Sequence, residues 1–297
     1  MTLESYQKAG KIASEVREGA RRKYHIDSTL LEICESIEKQ IRSMGAQPAF
    51  PVNTSLNEIA AHYTAEPGDQ TVVKEGDILK IDIGVHVDGY IADTAVTVCY
   101  DPKYDSLVKS AEQALADAVR MARANTKASD IGKTIETVIG RMGFRPIQNL
   151  SGHSLQQYVI HAGKSIPNIW TIGSSFALQQ GEAYAIEPFA TTKDGMGAVR
   201  EGKIRNIFGI TSRKPSKDGE ADQLLDTIWS RYRTLPFALR WLTDAYDESR
   251  LRRLTDVLIK KKNIHAYPIL VEGNGKIVVQ AEHTLIPSES GANVITI

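Results

Sequence analysis

Three short segments of this chain occur twice, in the same order and with acidic residues at matching places. The pairs are Met44-Gly45-Ala46-Gln47-Pro48 with Met142-Gly143-Phe144-Arg145-Pro146, Gly76 to Asp82 with Gly181 to Glu187, and Ala92-Asp93-Thr94 with Ala281-Glu282-His283-Thr284. An internal repeat of this kind limits the fold strongly, because each copy must form the same supersecondary unit. The repeat predicts two similar α/β halves.

The repeated acidic residues point to a metal site. Asp82 in the first half corresponds to Glu187 in the second, and Asp93 corresponds to Glu282. If the two halves face each other, these four carboxylates converge on one point. Carboxylate oxygens are hard ligands, and several of them together can hold a pair of divalent cations.

Composition excludes some classes of partner. The 297 residues contain 36 Lys plus Arg and 36 Asp plus Glu, so no net charge attracts DNA or an anionic membrane. The two cysteines, Cys34 and Cys99, are far apart and lie in apolar segments, which favours a reducing compartment and a role as core residues. No secretory leader or membrane-spanning apolar run is recognisable, so we expect a cytoplasmic protein.

The helices are predicted from apolar periodicity and from their stop signals. Thr29 with Glu32 has the spacing of a capping box, and Gly45 and Gly143, each followed by a proline, end a helix in each half. The predicted helices cover residues 4–23, from about 27 to 45, 106–124 and 129–142. Each half is therefore expected to begin with two helices and to continue with strands.

A hairpin follows the first two helices. Ile78–Val87 and Tyr90–Cys99 read as strands, and Asp88-Gly89 between them favours a two-residue type I′ turn. That turn places Val87 opposite Tyr90. The residues expected on one face are then Asp82, Gly84, Asp93 and Ala95, with the glycine leaving room above the sheet.

The corresponding hairpin of the second half is predicted to be split. Glu187 ends a strand that begins near Glu182, and its expected partner, Gly275–His283, comes only after a long insertion. Apolar stripes in this insertion predict two helices with Leu224, Leu225, Ile228, Trp229 and Tyr232 on one and Leu251, Leu254, Val257 and Leu258 on the other. We therefore expect one catalytic domain over residues 1–297, with a helical subdomain at 211–264 inside it.

Histidines narrow the choice of metal. His153 follows Asn149-Leu150-Ser151-Gly152 and accompanies the four matched carboxylates, and His161 in Ile160-His161-Ala162-Gly163 has a counterpart in His62. A carboxylate-rich site with one imidazole accepts manganese, iron, cobalt or zinc. The remaining histidines are expected to be ordinary core or surface residues: His25, His86, His265 and His283, the last facing outward on its strand.

The ordered set of Asp82, Asp93, His153, Glu187 and Glu282, with the two histidine motifs, resembles the type 2 methionine aminopeptidases. The resemblance covers essentially the whole chain and includes the insertion that separates type 2 from type 1 enzymes. It implies a pita-bread fold, an α/β (α+β) architecture with two pseudo-symmetric halves, a curved antiparallel sheet and a helical insertion. The long charged N-terminal extension of eukaryotic members is missing, as in the compact archaeal form.

The same resemblance implies the roles of the site residues. Asp82 would chelate one of two divalent ions, Asp93 and Glu282 would bridge both, and His153 and Glu187 would complete the second site. A hydroxide shared by the ions would attack the carbonyl after the N-terminal methionine, with Glu187 as proton shuttle. His161 would bind the carbonyl or oxyanion and His62 would orient the substrate. The methionine pocket would be lined by Phe50, His62, Ile160, His161 and Tyr267.

The resemblance implies a monomeric cytoplasmic enzyme that removes the initiator methionine from nascent polypeptides. It also allows transient contact of the enzyme with the ribosome. Two alternatives remain open. An aminopeptidase P or prolidase shares such a metal site but carries an additional N-terminal domain and lacks the insertion. A non-catalytic relative that binds protein or RNA would have lost metal ligands, whereas all five are present here.

Overall fold

The structure is a computed structural model that describes residues 2–23, 25–172 and 176–297. The expected domain range of 1–297 also takes in Met1, Tyr24 and residues 173–175, which lie outside the described residues. The α-helices are α1 Thr2–Arg22, α2 Leu30–Ser43, α3 Asp105–Met121, α4 Ala128–Arg141, α5 Gly219–Tyr232 and α6 Glu248–Lys260, with short 3₁₀ helices at Pro102–Tyr104 and Leu239–Leu242. None of these helices is long and apolar enough to cross a membrane.

The strands form antiparallel sheets. In chain order they are β1 Gln47–Pro48, β2 Asn53–Leu56, β3 Ile59–Ala61, β4 Ile78–Val87, β5 Tyr90–Cys99, β6 Arg145–Pro146, β7 Ser151–Leu155, β8 Ser165–Pro167, β9 Ala183–Ile186, β10 Phe189–Thr191, β11 Val199–Glu201, β12 Ile207–Ile210, β13 Ile264–Tyr267, β14 Leu270–Glu272, β15 Val278–Gln280, β16 His283–Pro287 and β17 Ala292–Val294. The two sheets that matter most for the site have the orders β1-β4-β2, with β5 on β4, and β17-β16-β9-β7-β8.

The helix ends confirm the repeat. Thr29 and Glu32 form the predicted capping box at the start of α2. Gly45 (φ 77°) and Gly143 (φ 88°), which follow α2 and α4, adopt the left-handed backbone that glycine allows at a helix end. Each helix pair covers its own apolar core, one beneath α1 and α2 and one beneath α3 and α4.

Strand register confirms the repeat residue by residue. Pro48 of β1 lies opposite Val85, three residues after Asp82. Pro146 of β6 lies opposite Ala190, three residues after Glu187. The segments that follow the two Met-Gly-x-x-Pro signals therefore join the sheets at equivalent positions, and Asp82 and Glu187 are structural counterparts.

The first hairpin has the predicted register. Gly84 pairs with Asp93, and Asp88 (φ 53°) and Gly89 (φ 85°) both have the positive φ of a type I′ turn. The space above Gly84, expected to be open, holds the ring of Phe50: a Cβ on residue 84 would lie 2.2 Å from Phe50 Cε1. Glycine is required here because an aromatic ring lies against the sheet.

The second hairpin differs from its prediction. Within the expected partner segment, Gly275–His283, only His283 pairs with β9, and residues 284–285 form the rest of that ladder. Residues 278–280 of the same segment form β15, which pairs with β10 instead. The β9–β16 and β10–β15 ladders continue the same residue pairing. Glu187 therefore lies opposite Glu282 in the gap between the two ladders. Pro188 lies in this interruption, and its lack of an N–H prevents it from donating a ladder hydrogen bond.

The insertion has a core of its own. Leu224, Leu225, Ile228, Leu251, Leu254 and Leu258 are all buried in it. Trp229, predicted for the same stripe, is instead half-buried between the guanidinium groups of Arg213 and Arg233, a stacking arrangement that suits an indole at the surface.

One buried ion pair joins the insertion to the first half. Glu38 of α2 accepts hydrogen bonds from Arg240 and from the Trp241 indole nitrogen, and the Arg240 and Glu38 side chains are only 4% and 2% exposed. Arg240 also donates to the Thr64 hydroxyl and to the Ala65 carbonyl oxygen, each at 2.8 Å. The 3₁₀ helix of the insertion is thereby fixed against α2.

Candidate functional site

Strands from both halves bring the acidic residues to one place. Asp82 on β4 and Asp93 on β5 share one face of the first hairpin. Glu187 directly follows β9 and Glu282 directly precedes β16. His153 lies at the middle of β7, where it pairs with Ala185 of β9. All five residues line the same cavity.

Distances within this group are those of a compact ligand cluster. His153 Nε2 lies 3.4 Å from a Glu187 carboxylate oxygen and 3.7 Å from Asp93 Oδ2. Asp93, His153 and Glu282 each offer a donor atom, and the three atoms all lie within 4.8 Å of one another. These separations suit ligands of a shared cation.

The carboxylates repel one another in a buried site. Burial raises the pKa of Asp82 to about 7. The pKa of Asp93 is raised by burial and by the nearby Asp82, and that of Glu282 by burial and by the nearby Asp93. Burial likewise raises the pKa of Glu187 and, acting on a base, lowers the pKa of His153 to about 3.

These residues fit a divalent cation. Within the described residues, no lysine or arginine forms an ion pair with the four carboxylates, whose only such contacts are with His153. The buried Oδ1 atoms of Asp82 and Asp93 have no hydrogen-bond partner. Unpaired buried carboxylates are costly, and a cation would remove both the repulsion and the missing contacts.

We expect the carboxylates to lower the stability of the metal-free protein between pH 6.5 and 8.5, relative to the metal-bound protein. A carboxyl group whose folded pKa is raised stabilises the fold while it is protonated, and this contribution is lost as pH rises through the folded pKa. Asp82 alone, with its pKa raised to about 7, accounts for about 1 kcal/mol over this range. The lowered pKa values of Lys80, which is about 7, and of the seven histidines act in the opposite direction over this range. Lys80 and the histidines outside the carboxylate cluster contribute equally with and without metal, so the carboxylates are seen in the difference between the two states.

Urea unfolding in EDTA at pH 6.5 and 8.5 measures this loss, and the same experiment with Mn²⁺ is the control. With the cation bound, the contribution of the carboxylates is absent and that of the other groups remains, so stability should rise more, or fall less, from pH 6.5 to 8.5 than it does in EDTA. The same pH dependence with and without Mn²⁺ would contradict the assigned carboxylate interactions.

The cavity has a volume of about 340 Å³ and continues from the carboxylates into an apolar region. Besides the five residues above, it is lined by the five residues predicted to bind substrate: Phe50, His62, Ile160, His161 and Tyr267. The ten residues predicted from the sequence therefore line one cavity.

His62 has a fixed orientation and protonation state. Its backbone is left-handed (φ 66°), with its N–H donated to Asn53 Oδ1 at 2.9 Å. Nδ1 lies 3.2 Å from the Pro268 carbonyl oxygen, which only accepts, so Nδ1 carries the proton. Burial lowers the pKa of His62 to about 4. The ring is therefore neutral at pH 7, and Nε2 is its hydrogen-bond acceptor.

His161 lies beside His153. Its ring centroid is 4.5 Å from that of His153. Partial removal from bulk water lowers the pKa of His161, and the charge of His265 adds to this effect. His265, predicted to be an ordinary residue, lies with its ring 4.2 Å from that of Tyr267 and so supports the cavity wall.

His283 faces away from this cavity, as predicted, but it is not free in solvent. Its Nδ1 lies 3.1 Å from Arg17 Nη1 and 2.9 Å from Thr296 Oγ1. Burial lowers the pKa of His283 to about 3. Side chains alternate between the two faces of a strand, so the His283 side chain points away from that of Glu282. The His283 ring lies under α1, which carries Arg17.

Several cavity residues were missed by the sequence analysis. Asn53, which orients His62, lies opposite Asp82 on β2, and that register could have drawn attention to it. Pro236 reaches the cavity from the insertion, a contact for which the sequence has no local signal. The other missed apolar wall residues include Leu150, Phe189, Ile207 and Leu270.

Comparison with known proteins gives a consistent result. A model of metallopeptidase family M24 matches residues 4–209. The methionine aminopeptidase of Pyrococcus horikoshii is 46% identical over 296 residues, which cover 100% of both chains. That of Methanocaldococcus jannaschii is 43% identical over 299 residues, again with 100% coverage of both.

Among solved structures, a methionine aminopeptidase of Thermotoga maritima superposes with a TM-score of 0.71. The similarity covers 99% of this chain and 96% of that one, at 22% sequence identity. At this identity the likeness concerns the fold, and the fold is the expected one.

Proposed function

Because the chain belongs to metallopeptidase family M24, and within it to the methionine aminopeptidases, we propose that the cavity lined by Asp93, His153 and Glu282 is its catalytic centre. The protein is a metal-dependent aminopeptidase with the pita-bread fold that removes N-terminal methionine from peptides. The observation that carries the catalytic assignment is the convergence of a divalent-metal ligand set with an apolar pocket in one cavity.

The metal would be held by Asp82, Asp93, His153, Glu187 and Glu282. We propose two divalent cations, from among cobalt, manganese, iron and zinc, with Asp93 and Glu282 shared between them. Cations held by these residues would polarise the scissile carbonyl and lower the pKa of a water molecule. The raised pKa values of the carboxylates support this arrangement, because a cation converts their mutual repulsion into coordination.

Glu187 is proposed to move the proton. It accepts a proton from the water that adds to the carbonyl and passes it to the nitrogen of the leaving peptide. Its burial raises its pKa, which brings the carboxyl closer to the range in which it can both accept and release a proton near neutral pH. His153 Nε2 lies 3.4 Å from the same carboxylate, close enough for both groups to bind one cation.

The two outer histidines are proposed to bind the peptide backbone. His62 offers only a lone pair at Nε2, so it would accept a substrate N–H and thereby orient the substrate. His161, next to His153, would donate to the scissile carbonyl oxygen and to the oxyanion that replaces it. Their opposite hydrogen-bonding roles fit the two sides of an amide bond.

The methionine side chain is proposed to lie in the apolar part of the cavity, against Phe50, Ile160 and Tyr267. A thioether is flexible and polarizable, and it contacts aromatic rings favourably. The ring of Phe50 over Gly84 brings this pocket close to the hairpin that carries Asp82 and Asp93.

The test of this function is methionine release from Met-Ala-Ser. We expect release with Mn²⁺ or Co²⁺ and none in EDTA. Ala-Ala-Ser, which lacks the side chain that fills the pocket, should be cleaved at least about 100-fold more slowly. An X-Pro peptide should remain intact. Cleavage of X-Pro instead of Met-Ala-Ser would indicate a prolidase-like enzyme, and metal binding without hydrolysis would indicate a binding protein.

The natural substrates proposed are nascent polypeptides in the cytoplasm, with the enzyme acting as a monomer and contacting the ribosome transiently. The net charge of zero gives no general attraction to ribosomal RNA. Any such contact would therefore depend on local surfaces. The helical insertion at 211–264 is proposed as a subdomain that closes one wall of the pocket through Pro236.

A further inference from the structure

The two halves meet at the metal ligands without a regular ladder. β5 pairs with β4, while β15 and β16 pair with β10, β9 and β17. Between β5 and the β15–β16 segment, hydrogen bonds pass mainly through three threonine hydroxyls. We call Thr94, Thr97 and Thr284 the threonine seam. Thr94 and Thr284 are completely buried, and Thr97 is 6% exposed.

Each end of the seam is a reciprocal contact. Thr284 Oγ1 accepts the Asp93 N–H and donates to the Asp93 carbonyl oxygen, both at 2.8 Å. Thr97 Oγ1 accepts the Gln280 N–H at 2.9 Å and donates to its carbonyl oxygen at 2.7 Å. One hydroxyl thus satisfies both backbone groups of a residue in the opposite half.

Thr94, in the middle of the threonine seam, contacts the backbone of Glu282. Thr94 Oγ1 donates to the Glu282 carbonyl oxygen at 2.8 Å and accepts from Arg17 Nη1 at 2.8 Å. Gln280, held by Thr97, donates from Nε2 to Glu282 Oε2 at 3.3 Å. The seam therefore fixes the backbone on both sides of the Asp93 and Glu282 pair.

We propose that Thr284 is a positioning residue that sets the distance between the Asp93 and Glu282 carboxylates and thereby the affinity for divalent cations. The proposal rests on the metal site assigned above. A β-branched side chain has few rotamers, so its hydroxyl lies at a defined point between the halves. Groups that orient metal ligands typically change metal affinity by about 10- to 100-fold when removed.

The test is Co²⁺ affinity by isothermal titration calorimetry of the metal-stripped protein. Thr284→Val keeps the shape of the side chain and removes the hydroxyl, and we expect it to weaken Co²⁺ binding at least about tenfold. Thr284→Ser restores the hydroxyl and should bind within about threefold of the wild type. The KM for Met-Ala-Ser at saturating Co²⁺ should be unchanged, because the methionine pocket is untouched.

Thr191→Val is the matched control. Thr191 is also completely buried, and its hydroxyl donates to the Ile277 carbonyl oxygen at 2.8 Å, away from the metal ligands. It should lower the melting temperature as Thr284→Val does and leave Co²⁺ affinity unchanged. Wild-type affinity in Thr284→Val, or equal weakening in both variants, would overturn the proposal.

If Thr284→Val does not fold, Thr97→Val decides the question. It removes the contact that holds Gln280 beside Glu282 and should also weaken Co²⁺ binding, whereas unchanged affinity would contradict a positioning role of the seam. Failure of the wild type to bind Co²⁺ is a different result, since it would reject the metal site itself.

Discussion

Glu187→Gln is expected to lower kcat for methionine release by about 10³-fold, while the protein stays folded. The amide keeps the size of the carboxyl group but cannot accept a proton and later release it. It is also a weaker ligand for a divalent cation. The measurement is kcat with Met-Ala-Ser at saturating Co²⁺, together with circular dichroism and a thermal unfolding curve.

A matched control separates this effect from a general change of charge. Glu201→Gln alters a glutamate whose side chain is 69% exposed and pairs with Arg205, and it should retain wild-type turnover. Calorimetry with Co²⁺ shows how much of the Glu187→Gln loss comes from weaker metal binding. Turnover like that of the wild type would remove Glu187 from the mechanism.

Asp93→Asn is expected to abolish activity and, in the absence of metal, to make the protein more stable. Asp93 is buried next to Asp82, and burial with this neighbouring charge raises its pKa. A neutral amide of the same shape removes the repulsion. We therefore expect a higher melting temperature than that of the wild type at pH 8.5 in EDTA.

The size of this gain in stability depends on pH. At pH 6.5 the carboxylates share protons, the repulsion is weaker and the gain should shrink. Thermal unfolding in EDTA at both pH values, with Asp226→Asn at a 75% exposed side chain as control, tests this. A less stable Asp93→Asn protein at pH 8.5 would show that the carboxylate contributes favourably without metal.

The first hairpin and the helix ends could be predicted because local chemistry determines them. Asp88-Gly89 selects a type I′ turn, and this turn fixes the pairing of Gly84 with Asp93. The capping box at Thr29 and the glycines after α2 and α4 are similarly local. Because the repeat carries these signals into the second half, the sequence indicated that the four carboxylates would converge.

The parts that escaped prediction depend on contacts between distant segments. The partner of β9 begins almost 100 residues later, and no turn fixes its register, so the split ladder was placed too early in the chain. The ring of Phe50 over Gly84 and the threonine seam involve residues separated by 34 to 191 positions. Such contacts are decided by tertiary packing, for which no local sequence signal exists.

The ion pair between Glu38 and Arg240 has a consequence for how peptides enter. If the insertion swung away from α2, four hydrogen bonds would break, three of them donated by Arg240 and one by Trp241, each worth about 1 kcal/mol or more. Fewer than about one molecule in 100 would then be open at any moment. The width of the entrance is therefore a fixed property of the folded enzyme, and we expect only unfolded, extended chain ends to pass through it.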